Sequence, residues 1–172
     1  MSEVYYTDAL KLAQKEYRAC LSRGTSPFLP VMDDFVPEEK ALAGIDLGVV
    51  QVPTEFIVGT KSRGRFHAFA ANYMPLLDRK SEFAVKWQRL CSAHLSEGIR
   101  EPIRAFEYMN RYYVAEGNKR VSVLKFFGAP EITGEVIRIL PEKNDDTAGF
   151  RVCGIQPTQP DQQCRVLKTR QL

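Results

Sequence analysis

The stretch from Tyr112 to Leu140, YYVAEGNKRVSVLKFFGAPEITGEVIRIL, is the most informative segment of the sequence for the fold class. Its first residues are β-prone and predict a strand. Gly117 then opens a helical segment that stops at Gly128, since glycine is common where helices end. Glu131–Leu140 carries apolar β-branched residues and predicts a last strand. A strand, a glycine turn, a helix and a strand in immediate succession indicate helices packed on a sheet.

Upstream segments supply further elements. Ser2–Leu21 repeats apolar residues every three or four positions and predicts an amphipathic helix. Gly48–Val58 predicts a strand broken or bent at Pro53. The remaining expected elements are a short helix over Pro37–Ala43, a helix within Ala68–Leu77 that lasts until Pro75, a helix over Phe83–Leu95 capped by Ser81, and a hairpin formed by Pro102–Tyr108 and Tyr112–Ala115.

The order of these elements predicts an α+β fold, a small mixed sheet with flanking helices and an N-terminal helical extension. We expect three parts along the chain. Residues 1–45 form the helix and a proline-rich strap, TSPFLPVMDDFVPEEKALAG (residues 25–44). Residues 46–141 form the core. Residues 142–172 lose all sustained periodicity and predict a flexible or irregular tail.

Length and composition exclude several classes of protein. With 172 residues, 44% of them apolar, the chain predicts one soluble domain with a full core. No apolar run approaches the roughly 20 residues of a membrane helix, and the N-terminal residues are not typical of a secretory signal. The four cysteines and two histidines are scattered, so we expect no zinc, haem or iron–sulfur centre. Reduced thiols and a cytoplasmic location are predicted.

The charge is small overall but locally concentrated. A net charge of +3 is too balanced to indicate a large nucleic-acid footprint. Basic residues gather in the glycine-bracketed loop Gly59–Arg65, GTKSRGR, and at Lys119 and Arg120 beside Gly117. This pattern favours a compact ligand of phosphate size over a long nucleic acid.

The turn Glu116–Arg120 carries the chemistry of a phosphate site. Free amides at a helix N-terminus favour an anion, and glycine lets the backbone approach it closely. Lys119 and Arg120 add positive charge, and arginine can grip a phosphate through two hydrogen bonds. Glu116, just before the turn, is placed to hold Mg²⁺ or to accept a proton from a hydroxyl. A solvated helix cap is the alternative interpretation of the same pattern.

A family resemblance adds to this. The run Glu97–Val136, EGIREPIRAFEYMNRYYVAEGNKRVSVLKFFGAPEITGEV, resembles the nucleotide-binding core shared by ParB-type partition proteins, sulfiredoxins and free-serine kinases. Gly98 and Pro102 precede the first strand of the hairpin, which leads into the acid–glycine–polar–basic–arginine turn Glu116–Arg120. The helix ends at Gly128 before the last strand. The resemblance spans about residues 46 to 141.

The resemblance implies a function and a set of residues. It implies that the turn Glu116–Arg120 at the helix start holds nucleotide phosphates with Mg²⁺. It also implies a second phosphate loop after the first strand of the core, Gly48–Val58. The residues implied in the two loops are Gly117, Asn118, Lys119 and Arg120, and Thr60, Lys61, Ser62, Arg63 and Arg65. The loops would grip one triphosphate from both sides while Glu116 positions metal or nucleophile, and Mg²⁺-dependent phosphate transfer or hydrolysis would follow.

Some residues depart from the family patterns. Asn118 stands where sulfiredoxins use a cysteine, so reduction of a cysteine phosphinate is not expected. Serine kinases carry an acid after the first strand, whereas Glu55 here lies upstream of that loop. Residues 142–172 are too short for the helix-turn-helix domain that follows this core in partition proteins. The whole chain also resembles uncharacterised bacterial regions that precede basic-membrane-protein-type binding domains.

Two other functions stay open. The same basic loops would suit a non-enzymatic, DNA-associated regulator, and salt dependence distinguishes it from a nucleotide pocket. A structural interaction domain would use Tyr5–Leu21 and the proline strap as its partner surface. The sequence leaves a homo-oligomer open as well.

Overall fold

The computed structural model describes residues 2–141, and the predicted tail 142–172 lies outside the described residues. In chain order the regular elements are α1 (Ser2–Ser22), α2 (Glu38–Leu42), β1 (Ile45–Pro53), β2 (Ile57–Thr60), α3 (Glu82–Ser96), β3 (Ile103–Tyr108), β4 (Arg111–Glu116), α4 (Asn118–Phe126) and β5 (Glu131–Ile139). The predicted α+β class, a mixed sheet with flanking helices, is confirmed. The division of the chain at residues 45 and 141 stays a prediction.

The two edge strands are nearly consecutive in the chain. The strand order is β1-β5-β3-β4-β2, with β1–β5 and β3–β4 antiparallel and β5–β3 and β4–β2 parallel. In a flat sheet the edges would lie about 19 Å apart, from four spacings of about 4.8 Å. The link from Pro53 to Ile57 reaches at most about 14 Å when extended. The sheet therefore curls until its two edges approach each other.

Each face of the sheet covers its own core. The larger core lies under α1, α3 and α4 and includes Val52, Ile103, Val114 and Val136 from four strands. A smaller core on the other face joins strand residues to the strap and α2; its buried members are Met32, Val36, Ala41, Tyr108, Tyr113 and Ile139. Tyr113 and Val114 thus serve opposite faces, as alternation along a strand requires.

Helix α3 forms as its sequence predicts and anchors the larger core. The Ser81 hydroxyl accepts a hydrogen bond from the Ala84 amide at 3.1 Å, which caps the first turn. Trp87 is fully buried, and its indole N–H donates to the Ser122 hydroxyl of α4 at 2.9 Å. Tyr6 of α1 packs edge-on against Trp87 at 5.4 Å. Three helices therefore meet at one tryptophan.

The proline strap lies along the free edge of β2. The Thr60 amide donates to the Pro30 carbonyl at 2.9 Å, and the Asp33 amide donates to the Lys61 carbonyl at 3.0 Å. A β-carbon at Gly59 would meet the Pro30 oxygen at 2.4 Å, so only glycine allows this close approach. The strap thereby covers a strand edge that would otherwise be unpaired.

The strand predicted over Gly48–Val58 is broken directly after Pro53, where a 3₁₀ turn, Thr54–Phe56, separates β1 from β2. The structure corrects one local prediction. The helix predicted within Ala68–Leu77 is wrong. That segment turns sharply, because the Asn72 side chain accepts from the Met74 amide at 3.1 Å and the Met74 carbonyl accepts from the Ala70 amide at 2.9 Å. Its start is part of another 3₁₀ turn, Arg63–Ala68.

None of the helices described within residues 2–141 combines the length and the apolar character that crossing a bilayer requires. The apolar side of α1 is buried, with Tyr6, Ala9 and Ala13 fully covered. These three residues are therefore part of the core, whereas Leu12 and Leu21 of the same helix are exposed, and the role of α1 as a partner surface stays a prediction.

The Trp87–Ser122 hydrogen bond makes a testable contribution to stability. Ser122→Ala leaves the buried indole N–H without an acceptor, so we expect the free energy of unfolding to fall by about 1–3 kcal/mol. Urea denaturation followed by the fluorescence of the single tryptophan measures it. The control is Ser92→Ala, which removes an exposed hydroxyl of α3. Equal stability of the two variants would contradict this role for Ser122.

Candidate functional site

Parallel pairing brings the two predicted loops together. β2 and β4 are neighbours, with Gly59 opposite Tyr113 and Thr60 opposite Val114. Because the strands run in the same direction, the residues that follow them emerge at the same edge of the sheet. The Lys61 amide donates to the Val114 carbonyl at 2.9 Å and extends this pairing into the first loop. Loops that are far apart in sequence thus become adjacent.

A buried hydrogen-bond network joins the bases of the two loops. The Tyr73 hydroxyl donates to the Gly59 carbonyl and lies 3.3 Å from Oδ1 of Asn118. The Asn118 amide group donates to the Thr60 hydroxyl at 3.3 Å, and that hydroxyl donates to the Val114 carbonyl at 3.0 Å. The end of β2 and the start of α4 are therefore held by one set of bonds.

Tyr73 occupies an unusual position. Its side chain is fully buried, and its φ of 68° lies in the left-handed region that side chains rarely adopt. Such a backbone costs on the order of 1–3 kcal/mol and persists only where its surroundings enforce it. Burial raises the pKa of the Tyr73 phenol well above its ordinary value, so the hydroxyl stays protonated and remains a donor.

The turn before α4 has the geometry of an anion site. Gly117 adopts a φ of 99°, and a β-carbon there would meet Cγ2 of Ile103 at 2.9 Å, so both backbone and space require glycine. No side chain caps the helix start. The first amides of a helix have no acceptors within it, so this helix start favours negative charge.

Both loops open onto one cleft of about 930 Å³. The first loop contributes Thr60, Ser62 and Gly64, and the second contributes Glu116–Arg120. Much of the remaining lining is apolar, from Leu29, Phe66, Phe69, Phe83 and Leu90. The structure therefore brings the second loop and part of the first to one concave surface with a polar and an apolar part.

Two predicted cations of the first loop are paired with the strap. The Lys61 ammonium lies 3.0 Å from Asp33, and the Arg63 guanidinium lies 2.8 Å from Asp34. Neither side chain lines the cleft. The side chain of Arg65 lies outside the described part of the structure. The first loop thus offers hydroxyls and backbone to the cleft, while its paired cations are held by strap carboxylates.

Arg120 reaches the cleft but is engaged elsewhere. Its guanidinium donates to the carbonyls of Glu101 and Pro102, at 3.0 and 2.5 Å, and lies 3.4 Å from the Glu101 carboxylate. Only 11% of the side chain is exposed. These bonds fix the chain at the entry to β3, so Arg120 has a structural part whatever else it binds. Its role in phosphate binding stays a prediction.

Glu116 is the acidic group of the cleft. Its side chain is 65% exposed and lies 3.8 Å from Arg104. Among residues 2–141, no group of three or more His, Cys, Asp or Glu side chains is placed to hold a metal ion. A metal at Glu116 would therefore take most of its ligands from a bound molecule, as Mg²⁺ does with nucleotide phosphates. The carboxylate fits that arrangement.

Sequence reasoning missed two cations on α3. Lys86 and Arg89 line the cleft, and Arg89 has no hydrogen-bond or ion-pair partner among the described residues. Their spacing of three residues, continued by Ala93 four positions later, marks one helix face. Phe83 lines the cleft as well, whereas the buried Trp87 and Cys91 lie on another face of the helix. The signal was present in the sequence, but only the tertiary fold turns this face toward the two loops.

Comparison with known proteins identifies no family. No family model matches the sequence, and no curated protein matches it significantly. Among solved structures, the chain is similar to sulfiredoxin from Arabidopsis thaliana, with 22% identity, a TM-score of 0.36, and coverage of 51% of this chain and 82% of that one. This distant likeness says nothing about residue roles.

Removing the Tyr73 hydroxyl tests the network. Tyr73→Phe deprives the Gly59 carbonyl of a buried donor, and we expect the free energy of unfolding to fall by about 1–3 kcal/mol. Hydrogen exchange at the Thr60 and Lys61 amides should accelerate as well. The control is Tyr5→Phe, whose hydroxyl makes no hydrogen bond within residues 2–141 and should change stability by less than about 0.5 kcal/mol. Unchanged exchange in Tyr73→Phe would contradict the network.

The engagement of Arg120 gives a second prediction. Arg120→Met removes charge-assisted bonds to two carbonyls, so we expect a loss of about 1.5–3 kcal/mol in urea denaturation. Arg100→Met, at an exposed arginine shortly before β3, serves as control and should be nearly neutral. An unchanged free energy of unfolding in Arg120→Met would contradict a structural role of this guanidinium.

Proposed function

We propose that the cleft binds a phosphate-bearing small molecule, and that a nucleotide is the class that fits it best. The observation that carries this proposal is the convergence of two glycine-containing loops on one cleft of about 930 Å³. A volume of that size accommodates a small molecule such as a nucleotide. The proposal assigns the phosphates to the α4 end of the cleft.

The charges around α4 support the phosphate end. The helix start offers amides and the positive end of the helix dipole. Lys119 lines the same wall, with its ammonium 5.1 Å from the ring centre of Phe83. Arg89 adds a cation from α3 that no carboxylate among the described residues neutralises. Together these groups would offset the charge of a di- or triphosphate.

The apolar part of the lining supports the base end. Phe66 and Phe83 are aromatic, and aromatic rings stack on nucleobases with little sequence preference. Leu29 and Leu90 extend the same apolar surface. A ligand with one highly charged end and one flat apolar end therefore suits the cleft better than inorganic phosphate does.

Glu116 would be the protein ligand of Mg²⁺ if the nucleotide carries the ion. When bound, Mg²⁺ neutralises charge on the phosphate oxygens. The exposed Glu116 carboxylate is free to turn toward the helix start, since its ion pair with Arg104 is long, at 3.8 Å. Phosphate transfer or hydrolysis at this site is part of the proposal, with Glu116 as the group that would accept a proton.

Titration calorimetry with ATP tests this proposal. Arg89→Met and Lys119→Met each remove one positive charge from the cleft, so we expect ATP binding to weaken about five- to tenfold for each. Arg18→Met and Lys15→Met, at cations of α1 that do not line the cleft, are the matched controls. Equal ATP affinity in all four variants, or no binding to the wild type with or without Mg²⁺, would refute the proposal.

Salt dependence separates a nucleotide pocket from a DNA-binding surface. Binding to a DNA duplex through several phosphate contacts falls steeply between about 50 and 200 mM salt. Affinity for ATP with Mg²⁺ should change less over this range, because one compact ligand makes fewer phosphate contacts. Tight, salt-sensitive binding to a DNA duplex in the absence of ATP binding would favour the regulator instead.

A further inference from the structure

A second cavity lies away from the cleft, at the carboxyl end of α4. Its volume is about 370 Å³, within the range of small-molecule sites. Leu12, Met74 and Phe126 give it apolar walls. Its polar groups come from Thr54, Asn72 and Lys125. It shares no lining residue with the phosphate cleft.

Two polar groups of this cavity, the half-buried side chain of Lys125 and the buried hydroxyl of Thr54, have no hydrogen-bond or ion-pair partner among the described residues. Lys125 forms no ion pair or hydrogen bond with the described residues, and its ammonium lies 5.3 Å from the ring centre of Tyr73. The Thr54 hydroxyl oxygen is buried and has no hydrogen-bond partner in residues 2–141. Native proteins rarely leave such groups unmatched, because each costs free energy to bury.

Lys125 lies in an environment that partly desolvates its charge. Burial lowers the pKa of its ammonium group to about 8. The nearby aromatic face compensates only weakly for this loss of water. A negative charge close to this group would restore what the loss of water removes.

The missing complement of both groups is an acceptor with one negative charge. A carboxylate accepts hydrogen bonds at each oxygen, so it would serve both an ammonium and a hydroxyl. Lys125 is the only charged side chain among the described residues that line the cavity. The carboxyl end of a helix carries partial negative charge and disfavours a multiply charged anion such as phosphate. The apolar walls would accommodate a hydrocarbon tail.

We propose that this cavity is a binding site for a small monocarboxylic acid with an apolar tail, held through Lys125 and Thr54. The carboxylate would accept from the Lys125 ammonium and the Thr54 hydroxyl. The tail would lie among Leu12, Met74 and Phe126. This site is independent of the phosphate cleft and stands or falls separately from it.

The experiment titrates the full chain with benzoate and butyrate by calorimetry and by amide NMR, with benzamide as the neutral analogue of benzoate. We expect one of the acids to bind with a Kd of about 1 mM and to shift the amides of Thr54 and Gly128. We expect benzamide to bind at least about tenfold more weakly. Lys125→Met should weaken binding at least about tenfold, and Thr54→Val about threefold to fivefold. Lys15→Met, at an exposed lysine of α1, should leave it unchanged.

Several results would overturn the proposal. Equal binding of benzamide would mean that the cavity takes apolar molecules without regard to charge. Unchanged affinity in Lys125→Met would remove the lysine from the site. Absence of both heat and amide shifts with either acid would show that the cavity is no carboxylate site. We expect Lys125→Met to keep or raise Tm, because methionine suits an apolar site. If Lys125→Met does not fold, the affinity of Thr54→Val still tests the proposal.

Discussion

The buried hydroxyl of Tyr73 holds the end of β2 and the start of α4 together, and the candidate site depends on this contact. It donates to the carbonyl of Gly59 and lies 3.3 Å from Asn118. One phenol therefore links the end of β2 to the start of α4. To reach that point the chain accepts a left-handed backbone at a bulky residue, with a φ of 68°. The sheet edge, the turn and the helix start are positioned together because this bond requires it.

The distribution of charge follows from the same arrangement. Since the strap runs along β2, its carboxylates Asp33 and Asp34 meet the first-loop cations Lys61 and Arg63. The positive charge that lines the cleft comes instead from the start of α4 and from α3, where Arg89 has no partner among the described residues. The cleft is thus asymmetric, with a cationic helix end and an apolar wall, and that asymmetry favours a nucleotide over a symmetric anion.

Local signals in the sequence predicted most of the helices and strands, whereas the meeting of the two loops was expected only from the family resemblance. Helical spacing and the Ser81 cap are sufficient for α3, and the positive φ of Gly117 is foreseeable from a glycine before a helix. The opposite-edge placement of β1 and β2 is a property of the whole sheet and leaves no local trace. The turn at Tyr73 replaces the predicted helix because Asn72 and Ala70 bond to Met74 within the segment. The hydroxyl of Tyr73 bonds to the distant Gly59, a contact that local helix propensity does not predict. Pairing of Lys61 with Asp33 joins the loop to the strap, which spacing cannot reveal.

If the loops after the parallel strands β2 and β4 form one ligand site, a single ligand must change the surroundings of both. Amide NMR of the labelled full chain, titrated with ATP and Mg²⁺, measures this. We expect saturable shifts with one common Kd at residues 60–64 and at residues 117–120, and weaker shifts at Arg89. Shifts confined to one loop, shifts at unrelated residues of α1, or no shifts at all would contradict it.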